Sequence, residues 1–232
     1  MSDFLTLDVI DTDGAIRESA EAAGVDRRNF LRNGALAGGG LLAGGAFFGI
    51  LDPAEAAIST KKPSKKNDVK ILNYALTLEF LEAEFYKQAV ANNVAGGDAA
   101  LAKFASVVAD HEADHVSYLR KALKSAAVKK PSFNFGDAVT DVAKFKATAQ
   151  VLEDTGVQAY LGQAGNISQK AVLGAAGSIL TVEARHASWI RFLNGGGAAN
   201  AATTALPAPR TFDRPASEKV VLRAVGATDF IQ

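Results

Sequence analysis

An eleven-residue segment of this chain has a second, partly matching copy. Asp110-His111-Glu112-Ala113-Asp114-His115-Val116-Ser117-Tyr118-Leu119-Arg120 aligns without a gap on Thr181-Val182-Glu183-Ala184-Arg185-His186-Ala187-Ser188-Trp189-Ile190-Arg191, matching Glu, His, Ser, an aromatic, an aliphatic and Arg. The matched Glu and His stand three apart, and on a helix of 3.6 residues per turn that spacing puts both on one face. Upstream of each copy a single Glu repeats as well: Leu78-Glu79 is followed by Tyr86 seven residues on, and Leu152-Glu153 by Tyr160 at the same interval. The intervals of 33 residues from Glu79 to Glu112 and 30 from Glu153 to Glu183 are those of two similar helical hairpins.

Capping and breaker residues agree. Asn67 is a candidate N-cap for a helix running to about Asn92, where Gly96-Gly97 follow, and Asp98 caps a second reaching about Ala127. A third starts near Thr140 or Asp141 and runs to about Gly162; Ser168 caps a fourth that stops at Asn194 and Gly195 to Gly197. No stretch alternates with period two, so the domain is expected to be all-α. Short turns make each helix pair an antiparallel hairpin. The 13 residues from 128 to 140 are long enough, at roughly 43 Å, to cross the length of a bundle.

The stripes that should face the core are Leu72, Leu76, Glu79, Ala83, Tyr86, Val90 on the first helix and Leu101, Ala105, Val108, Glu112, His115, Leu119, Ala122 on the second. The third carries Phe145, Ala149, Glu153, Gly156, Tyr160, and the fourth Val172, Ala176, Ile179, Glu183, His186, Ile190, Leu193. A carboxylate interrupts every row, and no Lys or Arg shares the stripes. Counting along the hairpins places the four Glu at one height, about 20 Å from the turns. Unpaired buried carboxylates cost several kcal/mol each, so four that converge need compensation. The chain has no Cys, which excludes thiolate chemistry, iron–sulfur clusters and Cys-held zinc, and leaves carboxylate and imidazole as the available metal donors. Only three His exist, and two of them fall in the repeated Glu-x-x-His. Glu79, Glu112, His115, Glu153, Glu183 and His186 are therefore the candidate ligands of two divalent ions, Fe or Mn, with Zn also compatible. A relic site filled by ion pairs or protonated carboxylates is the alternative.

Residues 67–194 resemble the ferritin-like superfamily, whose bundles consist of two antiparallel hairpins joined by one long crossover. The segment Leu72-Asn73-Tyr74-Ala75-Leu76-Thr77-Leu78-Glu79-Phe80-Leu81-Glu82-Ala83-Glu84-Phe85-Tyr86 is similar to exported ferritin-like domain proteins that include desiccation-related proteins. The resemblance implies Glu79 and Glu153 as the single carboxylate ligands and Glu112/His115 and Glu183/His186 as the paired ones. It also leaves two functions open: redox chemistry on O2 or peroxide at a metal pair, or a structural, stress-protective role that retains the bundle without catalysis.

Residues 1–56 read as a targeting segment. Arg27-Arg28 precede an 18-residue run, Gly34 to Leu51, built only of Gly, Ala, Leu, Phe and Ile, and Ala54-Glu55-Ala56 closes it as a small-x-small site. This resembles a twin-arginine export signal cleaved before Ala57, with the export machinery as a transient partner and an extracytoplasmic destination; a retained anchor is the alternative. Its removal takes away four Lys/Arg and nine Asp/Glu, leaving 21 cations against 16 acids over 176 residues, a net +5. Those cations form no clustered patch of the kind nucleic acid requires. Residues 57–66 are a Lys-rich linker, and 195–232 an Ala/Pro-rich tail with one short helix marked by Val220, Val221, Leu222 and Val225. A homo-oligomer is compatible with this sequence.

Other residues take blander roles. Glu82 and Glu84 are expected to be solvated, with Glu82 the runner-up to Glu79, and His111, rotated about 100° from Glu112, to lie on the surface. Tyr86 and Tyr160 fit either a hydrogen bond to a ligand, with a redox role, or an ordinary core tyrosine. Tyr118 and Trp189 are expected to pack.

Overall fold

The computed structural model describes residues 58, 59 and 62–232. The expected export segment, its cleavage point and residues 57, 60 and 61 of the linker lie outside them. Among the described residues no helix is long and apolar enough to cross a membrane.

Four long helices form the bundle: α1 Lys65–Ala91, α2 Ala99–Leu123, α3 Val142–Ala164 and α4 Lys170–Arg191. A short α5, Glu218–Gly226, follows in the tail. Helix α1 packs most extensively on α2, and α3 on α4, with α1 against α3 and α2 against α4 closing the bundle. Asp98 accepts from the Ala100 and Leu101 amides to start α2, and Asp141 accepts from the Lys144 amide to start α3.

Two caps differ from expectation. Helix α1 begins earlier, because extended Ser64 accepts the Asn67 amide through Oγ at 3.1 Å. Asn67 is buried in the first turn, accepting the Ser59 amide and donating to the Ser59 and Asn166 carbonyls. At α4, Gln169 rather than Ser168 occupies the cap position, and its own side chain makes no capping bond. The cap comes from α1: buried Asp68 accepts the Ser168 amide at 2.8 Å and the Gln169 amide at 3.0 Å. Tertiary contact supplies what local sequence does not.

Residues 124–141 form the crossover, and the chain's end holds it. The Asn134 amide donates to the Phe230 carbonyl at 2.8 Å and the Gln232 amide to Ser132 at 3.0 Å, around an isolated antiparallel bridge between Phe133 and Ile231. The tail also crosses α3, where the Ala216 amide donates to the Gln158 carbonyl. A Cβ on Gly162 would lie 1.9 Å from the Ala216 carbonyl oxygen, so only glycine admits the tail there.

Two apolar layers flank the middle of the bundle. One contains Phe85, Tyr86, Phe104 and Phe145 in edge and stacked contacts; the other contains Leu76, Leu119, Tyr160 and Ile179. In each helix the stripe carboxylate falls between them. The stripes drift at two ends: Val90 is exposed, and Leu123 is buried instead of Ala122.

Candidate metal centre

All six sequence candidates meet in this middle layer. Glu79, Glu112, Glu153 and Glu183 are fully buried, His186 is buried, and His115 is partly so. Their donor atoms form two groups, Glu79, Glu112, His115 and Glu183, and Glu112, Glu153, Glu183 and His186, with all donors of a group within 4.8 Å of one another. Glu112 and Glu183 belong to both. The Nδ1 of His115 lies 3.1 Å from Glu183 Oε1, 3.2 Å from Glu79 Oε2 and 3.3 Å from Glu112 Oε2. The Nδ1 of His186 lies 3.1 Å from Glu112 Oε1 and 3.2 Å from Glu153 Oε2.

Hydrogen bonding accounts for only part of this proximity, namely His115 Nδ1 with Glu79 Oε2 and Glu112 Oε2. His186 Nδ1, Glu112 Oε1, Glu153 Oε2 and both Glu183 oxygens are buried without a hydrogen-bond partner, because their lone pairs converge instead of facing donors. Convergent orphan donors of this hardness are what a divalent first-row ion needs.

Two tyrosines hold the single carboxylates crosswise. Tyr86 on α1 donates at 2.5 Å to Glu153 on α3, and Tyr160 on α3 donates at 2.5 Å to Glu79 on α1. Since Tyr86 follows Glu79 while Tyr160 follows Glu153, this exchange fixes α1 and α3 as antiparallel. Both readings of these tyrosines meet in this geometry, since each ring is buried in the core and each hydroxyl is satisfied by a ligand candidate.

Electrostatics reflect crowding. Burial, reinforced by the Glu79 charge, pushes Glu112 well up, and burial together with Glu112 does the same to Glu183. Glu79 goes the other way: burial opposes its ionisation, yet His115 and Tyr160 donate to it and hold it below its ordinary 4.5. Burial likewise opposes charge on His115, but Glu112, Glu183 and Glu79 outweigh it and raise the ring's pKa; Glu153 does this for His186. Without metal the layer stores protons on imidazole and on part of the carboxylate set.

Two expectations fail. Glu82 is not solvated but 3% exposed, since α1 is covered on this side by α3 and α4, and burial with the charges of Glu183, Glu112, Glu153 and Glu79 drives its pKa well up. His111 is exposed, as expected of a surface residue, and its ring also stacks on His186 at 5.2 Å with Nδ1 2.9 Å from His186 Nε2. The signal was present: His111 precedes His115 by four residues, one turn away, and α4 lies opposite. Tyr118 is 51% exposed, whereas its repeat partner Trp189 packs edge-on against Phe104. Glu84 is half-buried and bonded to Lys130 and Gln88. The repeated Arg191 forks onto Asp154 of α3.

A bundle of two hairpins with one crossover and a mid-bundle Glu/His cluster from paired Glu-x-x-His helices defines the ferritin-like class. The profile of the ferritin-like domain family matches residues 67–196, and the chain belongs to that family. No curated protein matches it.

Proposed function

We propose that this protein binds a pair of divalent ions, Fe or Mn, with Glu79 and His115 serving one ion, Glu153 and His186 the other, and Glu112 and Glu183 shared between them. The observation that carries this reading is the set of five buried donor atoms without hydrogen-bond partners, all on the group Glu112, Glu153, Glu183 and His186, which shares two carboxylates with the second four-residue group. Hydrogen bonding is a poor account of such a set, since each orphan costs about 1–3 kcal/mol unless something satisfies it.

A redox-active pair would supply two-electron exchange with O2 or peroxide. The chain's own residues supply the rest. Tyr86 and Tyr160 fix the orientation of Glu153 and Glu79; His111 accepts the Nε2 proton of neutral His186 and so presents Nδ1 to the centre. The two apolar layers exclude bulk water. Loading must displace the protons held on His115, His186 and the raised carboxylates, so affinity falls as pH drops. With the twin-arginine segment, this gives an exported, extracytoplasmic di-metal protein.

Elemental analysis of the exported protein, paired with peroxide and O2 consumption by the reduced form, tests both halves. About two Fe or Mn per chain, and consumption lost in His115→Ala and His186→Ala, is the expected result. Two metals with identical consumption in wild type and both variants would favour the non-catalytic protective role; no metal above background would overturn the centre.

A further inference from the structure

The internal repeat equates α1 with α3 at Glu79/Glu153 and Tyr86/Tyr160, while the six residues between them all differ, and one of those differences falls beside the centre. Glu82 stands three residues past Glu79, where its counterpart past Glu153 is Gly156. In space the two mismatched residues meet. A Cβ built on Gly156 would lie 3.3 Å from Glu82 Oε1 and 3.3 Å from Glu183 Oε2. The glycine thus opens room on α3, and the Glu82 carboxylate from α1 uses it beside a shared donor of the centre.

Glu82 has no other engagement. It is 3% exposed, and among the described residues it makes no hydrogen bond or ion pair. Lys87 and Lys130, cations near this part of α1, are paired with Glu84. A buried, unpartnered carboxylate stays charged only at a cost of several kcal/mol, so it either holds a proton or meets a cation.

Building on the two-metal reading above, we propose that Glu82 is a seventh donor of the centre, reaching the ion at the Glu153/His186 position from the Gly156 side, so that the two ion positions are inequivalent. Glu183 presents Oε1 to His115 at 3.1 Å, and its other oxygen, Oε2, is the one beside Glu82 and 3.9 Å from His186 Nδ1. Glu82 lies outside both four-residue groups, so it ligates by turning its side chain. An ion about 2.1 Å from each oxygen joins oxygens roughly 4 Å apart, and Glu82 Oε1 and Glu183 Oε2 are no further apart than twice 3.3 Å. Closing the remaining distance is the side-chain movement that the proposal requires of Glu82.

The test is Co(II) titration of chelator-stripped full chain, followed by calorimetry and by the visible spectrum of the bound ion. Wild type should take up two Co(II) in two resolved steps. Glu82→Gln, which keeps the shape and removes the charge, should weaken one step by about tenfold or more and leave the other unchanged. Gly156→Ala, which favours the helix and crowds both oxygens, should weaken the same step and shift the same spectral component. His115→Ala should weaken the opposite step. Wild-type affinities and spectra at both steps in Glu82→Gln and Gly156→Ala would overturn the seventh donor while leaving the two-metal reading intact. Absence of Co(II) uptake by wild type would instead overturn the two-metal reading itself, and the seventh donor with it.

Discussion

Replacing Tyr160 by Phe removes one oxygen atom and almost nothing else. The ring remains in its apolar layer, so no cavity opens, but Glu79 Oε1 loses a donor at 2.5 Å in a fully buried setting. A hydrogen bond to a charged acceptor contributes about 1.5–3 kcal/mol, and the abandoned acceptor has no water to replace it. The metal-free variant should therefore be about 2 kcal/mol less stable at pH 7, which lowers the thermal midpoint by about 4–8 °C for a domain of this size. The pH dependence gives the sharper check. Glu79 titrates below its ordinary 4.5 in the folded protein, so its contribution is complete above the unfolded pKa and is lost as pH falls through the folded one. Below that titration only a neutral hydrogen bond distinguishes the two proteins, and the gap should shrink to about 1 kcal/mol. The repulsion among Glu112, Glu183 and Glu82 also relaxes on acidification, but it is common to both proteins and cancels. Thermal unfolding followed by circular dichroism, with chelator present, at pH 7 and through a descending pH series provides the comparison. Equal midpoints at pH 7, or a gap that widens on acidification, would refute the argument.

Asp68→Ala should lower stability by about 2–3 kcal/mol, because the Ser168 and Gln169 amides lose a charged acceptor at the start of α4; urea unfolding measures it, and hydrogen exchange should show the loosening centred on residues 166–172. Gly162→Ala should displace the tail from α3, since the new methyl would collide with the Ala216 carbonyl, and limited proteolysis should then cut within 206–217 faster than in wild type. Arg27→Lys with Arg28→Lys should leave the precursor in the cytoplasm, read by fractionation and blotting; continued export of the double variant would remove the twin-arginine reading.

The hairpins and the six-residue constellation were legible because the sequence states them twice, and a gapless Glu-x-x-His repeat leaves little freedom in helix face or height. The cap of α4 was not legible. Its acceptor, Asp68, lies 100 residues upstream, and local sequence at Ser168 offers a plausible substitute that the folded chain does not use. Glu82 was misread for a related reason: an acid one turn from another acid is ordinarily a solvated residue, and only the packing of α3 and α4 over that face buries it. The surface position of His111 was legible from its angle to Glu112, while its contact with His186 follows from its four-residue spacing from His115 and the antiparallel neighbour α4. Crossover and tail were recognised as segments, but their mutual pairing through Phe133 and Ile231 is long-range and carries no local signature.

The crosswise tyrosine bonds make each hairpin the keeper of the other's ligand. Neither half could drift independently after a duplication, because loss of Tyr86 is felt at Glu153 and loss of Tyr160 at Glu79. Substitutions would be accepted in pairs across the two copies instead of singly within one. A hairpin taken alone would present its carboxylate unheld, so two identical hairpins could form this layer only by docking with each other.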